Sequence, residues 1–518
     1  MTRDAAAIGA GLASARAARA ITPGERIHVI GAAGAGASAA ALLAQGAGAI
    51  VSGCDSGGAS PYSPALEVAG IHLEFAHDAR HVTEAPRPER VAVTKALTAI
   101  APDHPELVAA RDVGLVPEPW QQVVADALAG HRLVAVAGTH GKSTTAGWLV
   151  HLLVASGRDP AAFVGALLPP ALTGSVPATA RWGAGEAAVV EADEYAGNFD
   201  PYRPDIAILT GAEWDHPDVF PDADAVEAAF EAWLRQARRG ATLVANVGDP
   251  GAARVVERLR DEPIAVVAYA LSDASPSRGG FVTGIAERFA TAAGPAASVL
   301  GRVVRAGPDG TTLEIHGLDP LVGALTTVIR PAGWHNAANA LAVAGAGISL
   351  GLSASEIVAA LATFEGVGRR LERKGEVGGV VCYDDYGHHP TAIRATIAAL
   401  RQLEPQRRVW AVYEPLTYHR TAALLDDFAD ALTSADAVAV ADIWAGRDPD
   451  TTIASSEGLA AEVARRRPDM PVGAPGSVEA TADWLAERVR PGDAVLVMGG
   501  GHSYRIVDRL LEDLETGH

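Results

Sequence analysis

The chain is poor in sulfur, in lysine and in aromatic rings. Only two cysteines, Cys54 and Cys382, occur in 518 residues, which excludes a disulfide framework and points to a reducing compartment. No apolar run approaches the ~18 residues that a membrane-spanning helix needs, so no membrane partner is expected. The first twenty residues are Ala-rich but are interrupted by Arg3, Asp4, Arg16 and Arg19. That leaves no clean apolar stretch for a secretory signal. Residues 1–24 therefore read as a frayed or loosely helical extension, and the expected location is cytoplasmic. Basic residues number 42 against 62 acidic ones, a formal charge of −20. A sequence-independent grip on nucleic acid needs a basic face, so no such partner is expected. Phosphate binding is not excluded, because a glycine loop binds anions whatever the global charge.

The shortage of lysine carries information of its own. Lys95, Lys142 and Lys374 are the only lysines, and arginine fills every other basic position. A lysine kept against that bias suggests a need for a compact ammonium. Lys142 lies in a glycine loop, whereas Lys95 and Lys374 read as chance retention.

With 49% apolar residues over this length, two to four folded cores are expected. Strands and helices alternate throughout, with no short-period repeat, as in parallel sheets covered on both faces. The fold class is α/β with three domains. A Rossmann-like domain spans 25–130, a central P-loop ATPase-like domain with a mainly parallel sheet spans 131–330, and a second Rossmann-like domain spans 331–518. Residues 271–312, rich in Gly, Ser, Pro and Ala, read as loops with an irregular excursion.

The first block opens with the strand Ile27–Ile30, then Gly31-Ala-Ala-Gly34-Ala-Gly36, a helix from about Ser38, and a strand leading to Asp55. This resembles a dinucleotide-type unit, but its glycine order is not G-x-G-x-x-G, so it signals NAD only weakly. The strongest motif is LVAVAGTHGKSTT, residues 133–145. A buried strand there enters Gly138-Thr139-His140-Gly141-Lys142-Ser143-Thr144 and then a helix. Backbone N–H groups of such a loop approach phosphate oxygens, the lysine reaches the β/γ-phosphates, and the hydroxyl suits Mg²⁺. Two more strands end in acids: VVEADEYAGNF (189–199), where Glu191 and Asp193 share a side, and ILTGAEWDHPDVF (208–220), with Glu213, Asp215 and His216. Acids at strand C-termini face the crevice where α/β folds bind ligands, and can hold a metal that bridges phosphates. Further on, GWHNAANALAVAGA (333–346) puts His335 and Asn339 on one helix face. GVGRRLE (366–372) offers paired arginines, and YDDYGHHPTAI (383–393) ends a strand with two acids and two histidines. No thiolate or further spaced histidine accompanies that last cluster, which argues against zinc there.

Taken in order, GTHGKSTT, EADEY, ExDH, GxHNxxNA, GVGRRLE and DDYGHHPTAI resemble the Mur ligase family over nearly the whole chain from about residue 25. The resemblance implies ATP-dependent amide formation on a UDP-sugar carboxylate through an acyl phosphate, with ATP and Mg²⁺ required. Within the family the motifs are similar to members that join L-alanine to UDP-N-acetylmuramate, and to a sister type that recycles a murein tripeptide. By resemblance, Lys142 binds the β/γ-phosphates, Ser143 ligates one Mg²⁺, and Glu191 and His216 hold a second. His335 and Asn339 line the adenine site, and Arg370 and Asp385 reach the nucleotide from the third block. Tyr386, His388 and Arg420 belong to the pocket for the incoming small amino acid. The turn Gly31, Gly34, Gly36 with Ser38 and Asp55 falls where the family carries its UDP-substrate loop. A monomer or weak homodimer is expected.

The family's carbamylated lysine of the second-to-fourth-residue ligases has no counterpart, since Phe230 stands near its place. Three departures bear on the amine and on turnover: Leu416 and Thr417 replace a His-Arg pair, Gly211 replaces an Asn, and the ending reads Gly499-Gly500-Gly501-His502. They keep open a tripeptide ligase and a non-catalytic paralogue that only binds ATP or UDP-sugar.

Overall fold

The structure is a computed structural model and describes residues 8–272, 279–319, 321–446, 448 and 450–516. Three sheets follow one another along the chain. The first comprises β1 (Arg26–Ile30), β2 (Ile50–Cys54), β3 (His72–Glu74), β4 (Arg90–Val93) and β5 (Glu118–Pro119), in the order β3-β2-β1-β4-β5. All its pairings are parallel. The chain therefore winds outward from β1 in both directions and leaves a crevice at that strand's C-terminal end, where Gly31 begins.

The central sheet has ten strands. They are β6 (Arg132–Ala137), β7 (Ala161–Leu168), β8 (Ala178–Arg181), β9 (Ala187–Glu191), β10 (Ile206–Leu209), β11 (Thr242–Asn246), β12 (Ala265–Leu271), β13 (Ala297–Gly307), β14 (Gly310–Asp319) and β15 (Val322–Ile329). Its order is β15-β14-β13-β12-β11-β10-β6-β9-β7-β8, so β6 lies between the two acid-tipped strands β9 and β10. Those neighbours run parallel to β6. One glycine loop and two acidic strand ends thereby reach the same edge. Antiparallel pairing is confined to β7–β8 and the β13–β15 meander.

The third sheet holds β16 (Glu372–Val377), β17 (Val380–Asp385), β18 (Arg408–Glu414), β19 (Ala437–Ala441), β20 (Val472–Gly476) and β21 (Asp493–Gly499), ordered β16-β17-β21-β18-β19-β20. Only β16 is antiparallel. No described helix is long and apolar enough to cross a membrane.

Three expectations change. Residues 8–24 are not helical. The Arg16 guanidinium grips both oxygens of Asp126, and the backbone N–H groups of Arg16 and Arg19 donate to Gln122 and Asp126. Those bonds hold the segment extended against the first block. Within residues 271–312, the described part contains the helix Gly279–Arg288 and the long β13–β14 hairpin. In β14 the alternate residues Thr311, Leu313 and Ile315 are buried, a period-two pattern that the small residues obscured, while the adjacent Val299 and Leu300 of β13 are buried on opposite faces. Finally, the helices Trp334–Ser349 and Ala354–Thr363 lie on the central sheet, where Ala337, Leu341, Ile357 and Leu361 share a core with Val134, Val244 and Val267. By packing, residues 331–364 go with the central block, and the division falls near Glu365–Arg370.

Candidate active site

The three blocks surround one cleft of about 2100 Å³. Its floor is the turn after β6. Gly138 and Gly141 have φ of +126° and +79°, and a Cβ would lie 2.3 Å from Thr210 Oγ1 at the first and 2.5 Å from Asn339 Oδ1 at the second. Only glycine fits both the backbone and the space. The loop is braced from β10: Thr139 Oγ1 donates to Glu213 O and Thr210 Oγ1 donates to His140 O. The helix Lys142–Ala155 then starts with its N-terminus facing the cleft, an arrangement that favours anions.

Lys142 Nζ donates to Gly138 O (2.7 Å) and to Glu194 Oε2 (3.0 Å), and lies 3.9 Å from Asp193. Burial alone would lower its pKa, but Glu194, Asp193 and Glu191 outweigh that and raise it. Ser143 Oγ donates to Glu191 Oε1 (3.0 Å) and accepts from Arg370 (2.8 Å), while the other Glu191 oxygen accepts from Gly165 N. His216 gathers instead with Asp193 and Glu194, ligand atoms all within 4.8 Å of one another. The expected metal residues thus fall into two groups on either side of Lys142: Ser143 with Glu191, and His216 with Asp193 and Glu194. Oxygen-rich, partly buried carboxylates beside a phosphate loop suit a hard divalent cation.

Asp215 is buried and meets the third block: Arg420 lies 2.7 Å from its Oδ1 and 3.0 Å from His216 Nδ1. Burial works against the Asp215 anion, yet His216 and Arg420 hold it well below the usual carboxylate range. A second link joins Thr391 Oγ1 to Glu213 Oε1 (2.7 Å), whose other oxygen pairs with His140 Nε2 (2.9 Å). The His140 ring lies 4.8 Å from that of His389.

The remaining expected residues fall as follows. His335 and Asn339 lie on one helix beside the loop. Burial and the nearby His140 push His335 down to about 4, so it is neutral. Arg370 stacks over Tyr386 at 5.1 Å. Asp385 does not reach out as a free carboxylate; it accepts from Leu371 N and Gly387 N, both at 2.7 Å, and so shapes the turn that carries Arg370. Tyr386 and His388 line the cleft. Burial, reinforced by Arg420, holds His388 well below the usual imidazole range. Its Nδ1 donates to Tyr386 O, so Nε2 is the bare acceptor. Leu416 and Thr417 also line the cleft, Thr417 with φ of +64° and as N-cap of the short helix that carries Arg420. Gly500 lies against Leu416, and the His502 N–H donates to Glu414.

In the first block, Gly31 takes φ of +76°, and its N–H and that of Ala32 donate to Cys54 O. Gly34 N closes the turn on Gly31 O, and Gly36 faces the cleft against Trp120. Asp55 braces this turn by accepting from Ala33 N and Gly57 N. Ser38 points elsewhere: its buried hydroxyl meets Thr179 Oγ1 at 3.1 Å on the central sheet. Ser38 therefore joins two blocks and is not presented to a ligand.

Two features escaped the sequence reading. Lys95 Nζ donates to Ala196 O (2.7 Å) and Gly197 O (2.8 Å), and so ties the first block to the acidic loop of the second. Only its rarity could have marked it. In addition, Arg370 Nε and Arg420 Nε are buried in the cleft without hydrogen-bond partners. Buried guanidinium donors of this kind suit anionic groups. Four of the six described non-glycine residues with positive φ also line this cleft: His216, Arg369, Leu371 and Thr417. Strain of this kind is held where geometry serves a ligand.

Comparison with known proteins agrees with this architecture. Family models match in order: "Mur ligase family, catalytic domain" over residues 26–132, "Mur ligase middle domain" over 136–347, and "Mur ligase, glutamate ligase domain" over 369–501. A UDP-N-acetylmuramate–L-alanine ligase of Frankia casuarinae is 35% identical, covering 95% of this chain and 98% of that protein. One of Gloeobacter violaceus is also 35% identical, covering 96% and 97%. A crystal structure of the UDP-N-acetylmuramate–alanine ligase of Thermotoga maritima superposes with a TM-score of 0.74 at 21% identity, covering 95% of this chain and all of that one. Loop, acids and bridging arginines thus occur in a chain that matches its relatives from end to end, and the chain belongs to the Mur ligase family.

Proposed function

We propose that the protein is a cytoplasmic UDP-N-acetylmuramate–L-alanine ligase that spends ATP, with Mg²⁺, to form the amide through an acyl phosphate. The observation that carries this reading is the convergence of Lys142, Ser143, Glu191 and His216 of the central block with Arg370 and Arg420 of the third in one cleft. Curated relatives of that activity match nearly the full length of the chain.

The chemistry brings two anions together, since the sugar carboxylate must attack the γ-phosphorus and displace ADP. Lys142 would leave Glu194 and balance charge on the phosphates, and loop N–H groups would orient them. Ser143 with Glu191, and His216 with Asp193 and Glu194, would hold magnesium, which supplies charge neutralisation on the transferring phosphoryl group. Arg370 would add its free Nε to the nucleotide side of the cleft. The incoming amino acid's carboxylate would take the orphan Nε of Arg420. The bare Nε2 of His388 would accept a hydrogen bond from the incoming amine and orient it; after losing its ammonium proton to solvent, the amine attacks the acyl carbon and expels phosphate. Closure of the third block would keep water from the acyl phosphate.

The test is phosphate release with UDP-N-acetylmuramate, ATP and Mg²⁺, run with L-alanine, glycine, L-serine and murein tripeptide in turn. Release with L-alanine at the highest kcat/KM is expected. Release only with the tripeptide would move the assignment to the recycling type, and none with any amine would reject ligase turnover.

A further inference from the structure

Away from the cleft, behind the glycine turn of the first block, four elements converge on a second polar cluster. His28 comes from β1, Cys54 from the end of β2, His81 from the helix Arg80–Thr83 and Glu106 from the helix Pro105–Asp112. The ligand atoms of these four lie within 4.8 Å of one another. Glu106 is fully buried, yet no lysine or arginine pairs with it among the described residues. Its oxygens lie 3.1 Å from Cys54 Sγ, 2.9 Å from His81 Nδ1 and 3.5 Å from His28 Nε2.

We propose that His28, Cys54, His81 and Glu106 form a structural site for a divalent transition-metal ion of the zinc class. Three observations carry this. The donor set is imidazole, thiolate and carboxylate, which selects zinc-like ions over the hard cations suited to the cleft. The donors are also near enough to share one ion: bonds of about 2.0–2.3 Å in a tetrahedron keep ligands about 3.3–3.7 Å apart, so the 2.9–3.5 Å separations around Glu106 need to open by only a few tenths of an ångström to admit it. The outward nitrogens of both histidines are engaged as a metal-bound imidazole requires. His28 Nδ1 meets Ser52 Oγ at 2.9 Å, and His81 Nε2 meets the Glu74 carboxylate at 3.1 Å. The inward His28 Nε2 is buried and makes no hydrogen bond. The ion would replace the neighbouring imidazoles as the countercharge to Glu106 and would deprotonate the Cys54 thiol, releasing protons to solvent. Because Cys54 O accepts from Gly31 N and Ala32 N, the metal would also clamp the glycine turn from behind.

The test uses the full chain, stripped with chelator and reloaded with Zn²⁺ or Co²⁺. One ion per chain should survive desalting. The Co²⁺ form should show tetrahedral visible bands with a thiolate charge-transfer band, and metal removal should lower Tm. Cys54→Ser should abolish the charge-transfer band. Glu74→Gln, which leaves all four ligands in place, should weaken binding about tenfold or more and covers the case in which the cysteine variant fails to fold. Absence of retained zinc, or a cobalt spectrum without a thiolate band in the unmodified chain, would overturn the proposal. Equal affinity in Glu74→Gln would do the same.

Discussion

Arg420→Met probes whether one buried ion pair holds the third block against the central one. Asp215 and Arg420 meet at 2.7 Å, with 7% and 5% of their side chains exposed. Removing one member of such a pair costs about 3–5 kcal/mol, because the other charge stays buried without compensation. His216 remains beside Asp215 and absorbs part of that loss, so about 2–3 kcal/mol is expected here. At about 1.4 kcal/mol per tenfold, kcat/KM for L-alanine should fall about 30- to 150-fold. The phosphate loop does not touch this pair, so ADP affinity measured by calorimetry should stay within about threefold. Arg420 could also act purely by holding the substrate carboxylate, and the double variant Asp215→Asn/Arg420→Met separates the two roles. With the anion gone, the double variant should recover part of the loss, giving a coupling of about 1 kcal/mol or more. A single variant within threefold of the unmodified protein in kcat/KM, or one that loses ADP affinity equally, would refute the reasoning.

Lys142→Ala should reduce phosphate release by more than about a hundredfold in the same coupled assay, since the buried acids would then face the phosphates uncompensated; circular dichroism should show an intact fold. His335 is held at about 4, below its ordinary 6.5, so the unfolded chain binds the extra proton first as pH falls. Stability should therefore be full above about pH 6.5 and decline toward pH 4, and His335→Gln should flatten that slope in thermal melts recorded across the window. Lys95→Met should loosen the 193–200 loop and lower kcat about tenfold, with hydrogen exchange rising at Ala196 and Gly197; unchanged protection there would show that its two carbonyl bonds do not order the loop.

The central site was legible because its signals are local. A buried strand, a glycine loop and a helix stand in one stretch at 133–145, and the acid-tipped strands that flank β6 are equally short and apolar. Residues whose roles depend on tertiary placement were harder to read. Ser38 follows the glycine turn in sequence, but helical rotation turns it toward Thr179. Asp385 reads as an outward acid, yet its neighbours' N–H groups consume it. The 331 boundary was misplaced because the helix Trp334–Ser349 is apolar on nearly every face, and nothing in its own pattern says which sheet it covers. Lys95 acts across about a hundred residues of chain separation, a distance at which pattern carries no information.

The joint between the central and third blocks has a mechanical implication. Arg369, at φ of +57°, is moored to the third block through Asp384, Gly499 O and Ser503, while the next residue, Arg370, extends back to Ser143. Two adjacent guanidinium groups thus grip opposite sides of the pivot. Any swing of the third block must drag one of them off its anchor, so the swing and the dismantling of the arginine–serine contact are a single movement. A probe of that one contact would therefore report the posture of the whole molecule.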